Sequence, residues 1–117
     1  MILETEDMWG VVKADTAYFR IRSINDFVLD DNYFHPDEGG DLAIRFRLSS
    51  NRKADIKVYD VAGCFVKNVE NRFFEAGWNT VYWNGANERG NIVGSGLYIV
   101  TISSGDMHEA KKVIVIR

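Results

Sequence analysis

The chain has 117 residues and a mass of 13.3 kDa, which is the size of one domain. Hydrophobic residues make up 46% of it and aromatic residues 13%, which excludes a disordered tail because such chains lack apolar surface to bury. The 14 Lys and Arg against 17 Asp and Glu leave a net charge of −3. That balance argues against a general nucleic-acid binder, whose affinity depends on a basic surface. No apolar run is long enough to cross a bilayer, so we expect no membrane insertion.

The first 25 residues allow two interpretations. Residues 9–13 and 18–24 are both rich in apolar side chains, and turn-forming residues separate them at 14–16. They form either an extra hairpin or the end of a preceding domain followed by a tether. Acidic residues near the start stand where a signal peptide carries basic ones, so we predict no secretion signal here. We therefore divide the chain into residues 1–25 and a folded domain over residues 26–117.

Alternation with a period of two dominates the rest of the chain, as is typical of β-strands. It is most regular in residues 42–48, where one face carries Leu42, Ile44, Phe46 and Leu48. The other face carries Arg45 and Arg47, so this run predicts a half-buried strand. We expect Arg52 and Lys53 of the following turn, and Lys57 of the next strand, to join these arginines in one solvated face across adjacent strands.

A hairpin follows the first regular strand. Residues 51–53 predict a turn, and residues 54–70 predict two strands that meet at residues 61–63. Asp60 offers an acceptor to start that turn, and Gly63 can take its left-handed position.

Residues 79–83 predict a strand, and two aromatic side chains face outward, one just before the strand and one within it. If Val81 and Trp83 face inward to the core, alternation turns Trp78 and Tyr82 outward together. An exposed aromatic pair often marks a surface for a partner or a sugar, so Trp78 and Tyr82 are our candidate interaction surface. The alternative is that the N-terminal segment or a loop covers them.

The last third of the chain predicts a loop and a final pair of strands. Gly and Asn are frequent in residues 84–96, which favours a loop. Residues 97–102 and 112–116 then form two strands joined by a turn at 103–106. Short strands at regular spacing with turns between them predict an all-β sandwich of about seven strands, without a helix of ordinary length.

We predict no catalytic residues, no cofactor and no metal site. The acidic loop at 30–41 lacks the spacing of an EF-hand and is interpreted as turn-forming. His35, His108 and Ser95 stand outside any nucleophile motif. Cys64, the only cysteine, cannot form an internal disulfide, although it could link two copies under oxidising conditions.

Several segments of the sequence resemble the motifs of a known family, in the same order and at similar spacing. They are Phe-Val-Leu-Asp-Asp-Asn-Tyr-Phe-His-Pro at 27–36, Ile-Arg-Phe-Arg-Leu at 44–48, Ile-Lys-Val-Tyr-Asp-Val-Ala-Gly at 56–63, Gly-Trp-Asn-Thr-Val-Tyr-Trp-Asn-Gly at 77–85, and the segments at 88–98 and 111–117. Residues 27–117 resemble the immunoglobulin-like module of the flagellar hook-capping protein. They resemble still more closely the C-terminal sorting domains of type IX secretion. Tyr33 and His35 stand where that family usually has Pro and Asn, and Asn84 where it has Asp.

The resemblance implies an immunoglobulin-like antiparallel β-sandwich without enzyme activity. It implies an extracytoplasmic module at the C-terminus of a bacterial protein, serving in export, surface attachment or docking to an assembly. Its partners would be proteins, either export machinery or neighbouring subunits. It further implies that the final strand is recognised during export, which makes the following residues candidates: Lys111, Lys112, Val113, Ile114, Val115 and Ile116.

Two other functions stay open. One is a structural subunit, hook-cap-like or part of an extracellular filament, which would self-associate with residues 1–25 pairing onto a neighbour's sheet edge. The other is a carbohydrate-binding sandwich that uses Trp78 and Tyr82.

Overall fold

The computed structural model describes residues 11–14, 17–21, 27–29, 33–105 and 107–117. These residues form ten β-strands and one short 3-10 helix, Pro36–Glu38. The strands are β1 (Val11–Ala14), β2 (Ala17–Ile21), β3 (Phe27–Leu29), β4 (Tyr33–Phe34), β5 (Leu42–Leu48), β6 (Arg52–Asp60), β7 (Phe65–Phe74), β8 (Gly77–Trp83), β9 (Gly96–Ser104) and β10 (Met107–Val115).

The strands form two sheets that pack as a sandwich, which confirms the predicted fold class. The larger sheet has the order β1-β2-β10-β9-β6-β7, with β4 also paired to β10, and the smaller sheet has the order β3-β5-β8. The pairings are antiparallel except those of β2 and β4 with β10, which are parallel. The number of strands exceeds the predicted seven because the short strands β1, β2 and β4 add to one side of the larger sheet.

The core lies between the sheets and is filled by the inward side chains of both. The smaller sheet contributes Phe27, Ile44, Phe46, Val81 and Trp83, and the larger sheet contributes Ile56, Val58, Val100, Ile102, Val113 and Val115. Trp83 is 1% exposed, and its ring packs against Phe34 and Tyr98 with centroids 5.7 and 6.1 Å away. Its Nε1 donates to the Ala86 carbonyl oxygen at 2.9 Å, so the buried indole also has its polar atom satisfied.

The turn between β6 and β7 has the predicted chemistry. Asp60 Oδ1 accepts hydrogen bonds from the backbone N–H groups of Ala62 and Cys64, both at 2.9 Å. Gly63 has a φ of 86°, a left-handed conformation that glycine adopts without a steric penalty. The acceptor and the glycine read from the sequence are both confirmed.

Two predictions about the basic residues are wrong. The bend before β6 occupies residues 49–51, so Arg52 and Lys53 already belong to the strand. At that bend the chain passes from the smaller sheet to the larger one, because β5 and β6 belong to different sheets. The arginines of β5 and the basic residues of β6 therefore form no single face on adjacent strands.

The N-terminal strands extend the larger sheet. β1 pairs antiparallel with β2, with Ala14 opposite Ala17, which is the arrangement of the hairpin alternative. β2 pairs in parallel with β10 of its own chain, with Glu109 opposite Arg20. Residues 1–10 and 22–26 lie outside the described residues, and the division of the chain at residue 25 stays a prediction.

The last strand is part of the fold, as predicted. β10 pairs with β9 along its whole length, from Met107 opposite Ser104 to Val115 opposite Gly96. Ile116 follows the strand, and its backbone N–H donates to the Phe34 carbonyl oxygen at 2.9 Å.

Candidate interaction surface

The smaller sheet has an outer face that the core does not use. Along β8, alternation sends Val81 and Trp83 inward, and Trp78, Thr80 and Tyr82 outward. The register with β5 sets Trp78 opposite Arg47 and Thr80 opposite Arg45. We call this surface the outer aromatic face, and it consists of Arg45, Arg47, Trp78, Thr80 and Tyr82.

Both aromatic rings of this face are accessible. Trp78 is 55% and Tyr82 61% exposed, so no loop among the described residues covers them. The alternative that the N-terminal segment covers them falls partly on residues outside the described ones and stays open. Trp, Tyr and Arg are the residues most enriched among those that dominate binding energy at protein interfaces. The role of Trp78 and Tyr82 as an interaction surface stays a prediction.

A cleft begins where the outer aromatic face ends. It has a volume of about 300 Å³ and is lined by Asp41, Lys67, Val69, Tyr82, Trp83, Asn84, Ala86 and Gly90. Leu42 pairs with Trp83, so Asp41 and Asn84 extend the two neighbouring strands at the same end of the smaller sheet. Lys67 and Val69 come from β7 of the larger sheet. We call this feature the β8 cleft.

Hydrogen bonds hold residues 84–88 of the loop that follows β8 in place. Asn84 Oδ1 accepts from the Ala86 N–H at 3.0 Å. The Glu88 N–H donates to the Val66 carbonyl oxygen at 3.1 Å, and Glu88 Oε2 accepts from the Asn68 N–H at 2.7 Å. These bonds fix one wall of the β8 cleft against β7.

Gly85 also anchors this loop through close packing. Its φ is 87°, and a Cβ atom placed there would lie 2.7 Å from Cβ of Pro36. The backbone therefore approaches Pro36 at a distance that only glycine permits.

The predicted export-recognition strand has a structural side and an accessible side. Val113 and Val115 are buried in the core, whereas Ile114 is 42% exposed. Lys111 and Lys112 are half-buried, and burial lowers the pKa of Lys111 below its ordinary value, opposed in part by the charge of Glu109. A partner would therefore reach this strand through Ile114 and the lysines, and their role in export stays a prediction.

The acidic loop is only partly described. Asp37 and Glu38 lie in the 3-10 helix, where Asp37 contacts Arg117 with Oδ1 3.5 Å from Nε. Within the described residues no three His, Cys, Asp or Glu side chains gather as a metal site would require, and Asp30 and Asp31 fall outside them. The expected absence of a metal requirement stays a prediction.

The single residues considered for chemistry have local contacts. His35 Nδ1 lies 3.9 Å from Glu38 Oε2. His108 Nδ1 lies 3.0 Å from Oγ of Ser103, its cross-strand neighbour. Ser95 Oγ accepts from the Arg117 backbone N–H at 2.9 Å, and Cys64 is an exposed free thiol. In the described ranges, no helix is long and apolar enough to span a membrane.

Sequence reasoning missed the β8 cleft. It interpreted Asp41 as a turn residue and treated Asn84 only as a replacement within a motif. The pairing of Leu42 with Trp83 brings them to one sheet end, and that register depends on contacts far apart in the sequence. An acidic residue before one strand and an amide after another were the only local signals.

Comparison with known proteins identifies a family and a structural neighbour. Residues 31–107 match the family model described as the FlgD Ig-like domain. No curated protein sequence matches the chain. One solved structure with a similar fold is that of PorZ, described as an essential bacterial surface component of the type-IX secretion system of Porphyromonas gingivalis. The similarity has a TM-score of 0.56 and 21% identity over 78% of this chain, which spans 11% of the PorZ chain. This likeness supports the fold.

Proposed function

The chain belongs to the FlgD Ig-like domain family, and from that premise we propose that it is a non-catalytic docking module of an extracytoplasmic bacterial protein. Its partner is a protein of the export machinery or of a surface assembly. PorZ, the structural neighbour, is itself named as a surface component of a secretion system, and this supports an extracytoplasmic setting. The observation that carries the proposal is the outer aromatic face.

The outer aromatic face is available for binding because the fold is complete without it. Val81 and Trp83 supply the contribution of β8 to the core, and the rings on the other side remain largely in solvent. An aromatic side chain buries about 150–250 Å² when it is fully covered. Covering the exposed half of Trp78 and Tyr82 would then contribute about 2–3 kcal/mol for each ring, at about 25 cal/mol per Å².

The position of β8 in its sheet adds a backbone component. β8 lies at the end of the described β3-β5-β8 sheet, and an edge strand offers N–H and C=O groups to an added strand. A partner that pairs with this edge would place its side chains beside Trp78 and Tyr82. The arginines of β5 would then stand at the rim of the contact, where polar groups are usual.

We propose a second role for the C-terminal strand during export. Solvent reaches Lys112 and Ile114 on the face opposite the core, and it reaches the half-buried Lys111 on the same face as Val113 and Val115. Val113 and Val115 hold the strand in the sandwich. Recognition in the folded state would therefore depend on the lysines and Ile114, and substitutions of the valines would act through stability.

The docking role is tested in the parent bacterium with the full-length protein that contains this module. The double variant W78A/Y82A should fold normally and lose retention at the cell surface in fractionation experiments. The matched control is F73A, because Phe73 is an equally exposed aromatic residue, at 64%, on the larger sheet. Normal retention of W78A/Y82A, or an equal loss for F73A, would contradict the proposal.

The structural-subunit alternative makes a different prediction. A filament or cap subunit must self-associate, whereas a docking module need not. Gel filtration with multi-angle light scattering on the purified chain separates the two, and we expect a monomer. A defined oligomer that W78A/Y82A dissolves would assign the outer aromatic face to self-association instead.

A further inference from the structure

We propose that the β8 cleft binds one saccharide unit through neighbouring hydroxyl groups. This site differs from the protein-docking face in that Trp78 does not line the cleft. Tyr82 belongs to both surfaces, and the polar residues of the cleft belong to the cleft alone.

The polar groups of the cleft match the hydrogen-bonding needs of a diol. A carboxylate accepts hydrogen bonds, whereas an ammonium or an amide N–H donates them. Asp41 supplies the acceptor, Asn84 supplies a donor from the same end of the smaller sheet, and Lys67 supplies a donor from β7 of the larger sheet. Each sugar hydroxyl is both donor and acceptor, so adjacent hydroxyls can bond to Asp41 and to a donor at the same time.

These groups are available in the structure. Asn84 Oδ1 is already bonded to the Ala86 N–H, which leaves its Nδ2 hydrogens for a ligand and fixes the orientation of the amide. Within the described part of the chain, the side chains of Asp41 and Lys67 form no ion pair. Polar groups that converge on a concave site without internal partners are typical of ligand sites.

Tyr82 provides a surface for the apolar side of a sugar ring. The face of an aromatic ring carries negative charge density, and the C–H groups of a pyranose ring are weakly positive. Tyr82 is exposed at the mouth of the cleft, where its ring can cover such a face. The aliphatic floor formed by Val69 and Ala86 completes the apolar lining.

The size and rigidity of the cleft limit the ligand. A volume of about 300 Å³ is at the lower end of ligand pockets, which favours a single sugar unit. The bonds of Glu88 to β7 and the packing of Gly85 on Pro36 fix the wall before binding. A preformed wall lowers the entropy cost of binding. Asp41 and Lys67 bring one charge of each sign to the lining, so the cleft has no net charge that selects an ionic ligand, and a neutral sugar fits best.

We expect weak binding to a single unit. The ligand efficiency that is usual for drug-sized ligands gives a hexose of about 12 non-hydrogen atoms a Kd of about 2 mM. Affinity of that size becomes useful when many sugars are displayed on one surface, because linked sites bind together.

The test is an NMR titration of the isotope-labelled full chain. The probes are the methyl glycosides of glucose, mannose, galactose and N-acetylglucosamine. At least one should produce saturable shifts in the amides of Asn84, Ala86 and Gly90. D41A and Y82A should each weaken binding about tenfold, whereas W78A should change it less than about twofold, because the lining of the cleft remains.

Specific outcomes would overturn the proposal. The absence of saturable shifts with every glycoside would do so, as would equal binding by D41A and the intact chain. Amide spectra of each variant without sugar establish that it is folded. A failure of sugar binding is distinguishable from a failure of docking, because W78A leaves the β8 cleft intact while it removes one of the two aromatic rings of the outer aromatic face.

Discussion

The two faces of the smaller sheet are built from the same strands and have opposite properties. On β8, Trp83 is 1% exposed and bonded to Ala86, while Trp78 is 55% exposed. The inner face supplies packing to the core, and the outer face combines aromatic rings with Arg45 and Arg47. The difference shows that one strand can serve the core through one parity of its residues and leave the other parity exposed to solvent.

Truncation of β10 should have the largest effect on stability. Like β8, β10 has one face in the core and one accessible face. Deleting residues 112–117 removes Val113 and Val115 from the core and should cost more than about 4 kcal/mol of the free energy of unfolding. The control I114A alters the accessible face and should cost less than about 1 kcal/mol. Urea melts measure both, and a truncated chain that melts like the intact one would show that β10 does not belong to the fold.

Substituting the two tryptophans of β8 tests directly whether its two faces differ in their contribution to stability. W83A should lower the free energy of unfolding by about 3–5 kcal/mol, as truncations of large core residues do. W78A should lower it by less than about 1 kcal/mol, because the side chain packs little. Comparable losses in urea melts would refute the register that places Val81 and Trp83 inward.

Two glycines of the loop after β8 allow a matched pair of alanine substitutions. Gly85 and Gly90 both have a φ of 87°, but only Gly85 would bring a Cβ against Pro36. G85A should cost about 2–4 kcal/mol from overpacking and backbone strain, and G90A about 1 kcal/mol from strain alone. Thermal melts of both variants check this, and equal costs would mean that the loop is not held against Pro36.

The smallest expected effect concerns Tyr98, which packs against the core, and the dependence of stability on pH. Burial, and secondarily the charge of Asp60, raise the pKa of Tyr98 above 10.0. The folded state therefore favours the neutral phenol, which stabilises the fold below pH 10 and loses that contribution as the pH rises through the folded-state pKa. Y98F should lose the hydrogen bond to Gly94, at a cost of about 1 kcal/mol at neutral pH.

Thermal melts above pH 10 provide the measurement for Tyr98. The intact chain should lose stability more steeply than Y98F in that range. Parallel curves for the two proteins would show that the phenol does not titrate differently in the folded state.

The sequence predicted those features that depend on neighbours in the chain. Alternation placed Trp83 inside and Trp78 outside, and the Asp60 and Gly63 pair predicted its turn, because both effects are local. The split of the basic residues between two sheets was not predictable, since a bend at 49–51 looks like a hairpin turn until the sheets are assembled. The β8 cleft was missed for the same reason, because Asp41 and Asn84 meet only through long-range pairing.

The most direct test of the docking account is site-specific photo-crosslinking in the parent bacterium. A photoreactive amino acid at position 78 of the full-length protein should give a discrete adduct with one extracytoplasmic protein. The same probe at position 73, on the exposed surface of the larger sheet, should not give that adduct. An adduct from position 73 and none from position 78 would contradict the assignment of binding to the outer aromatic face.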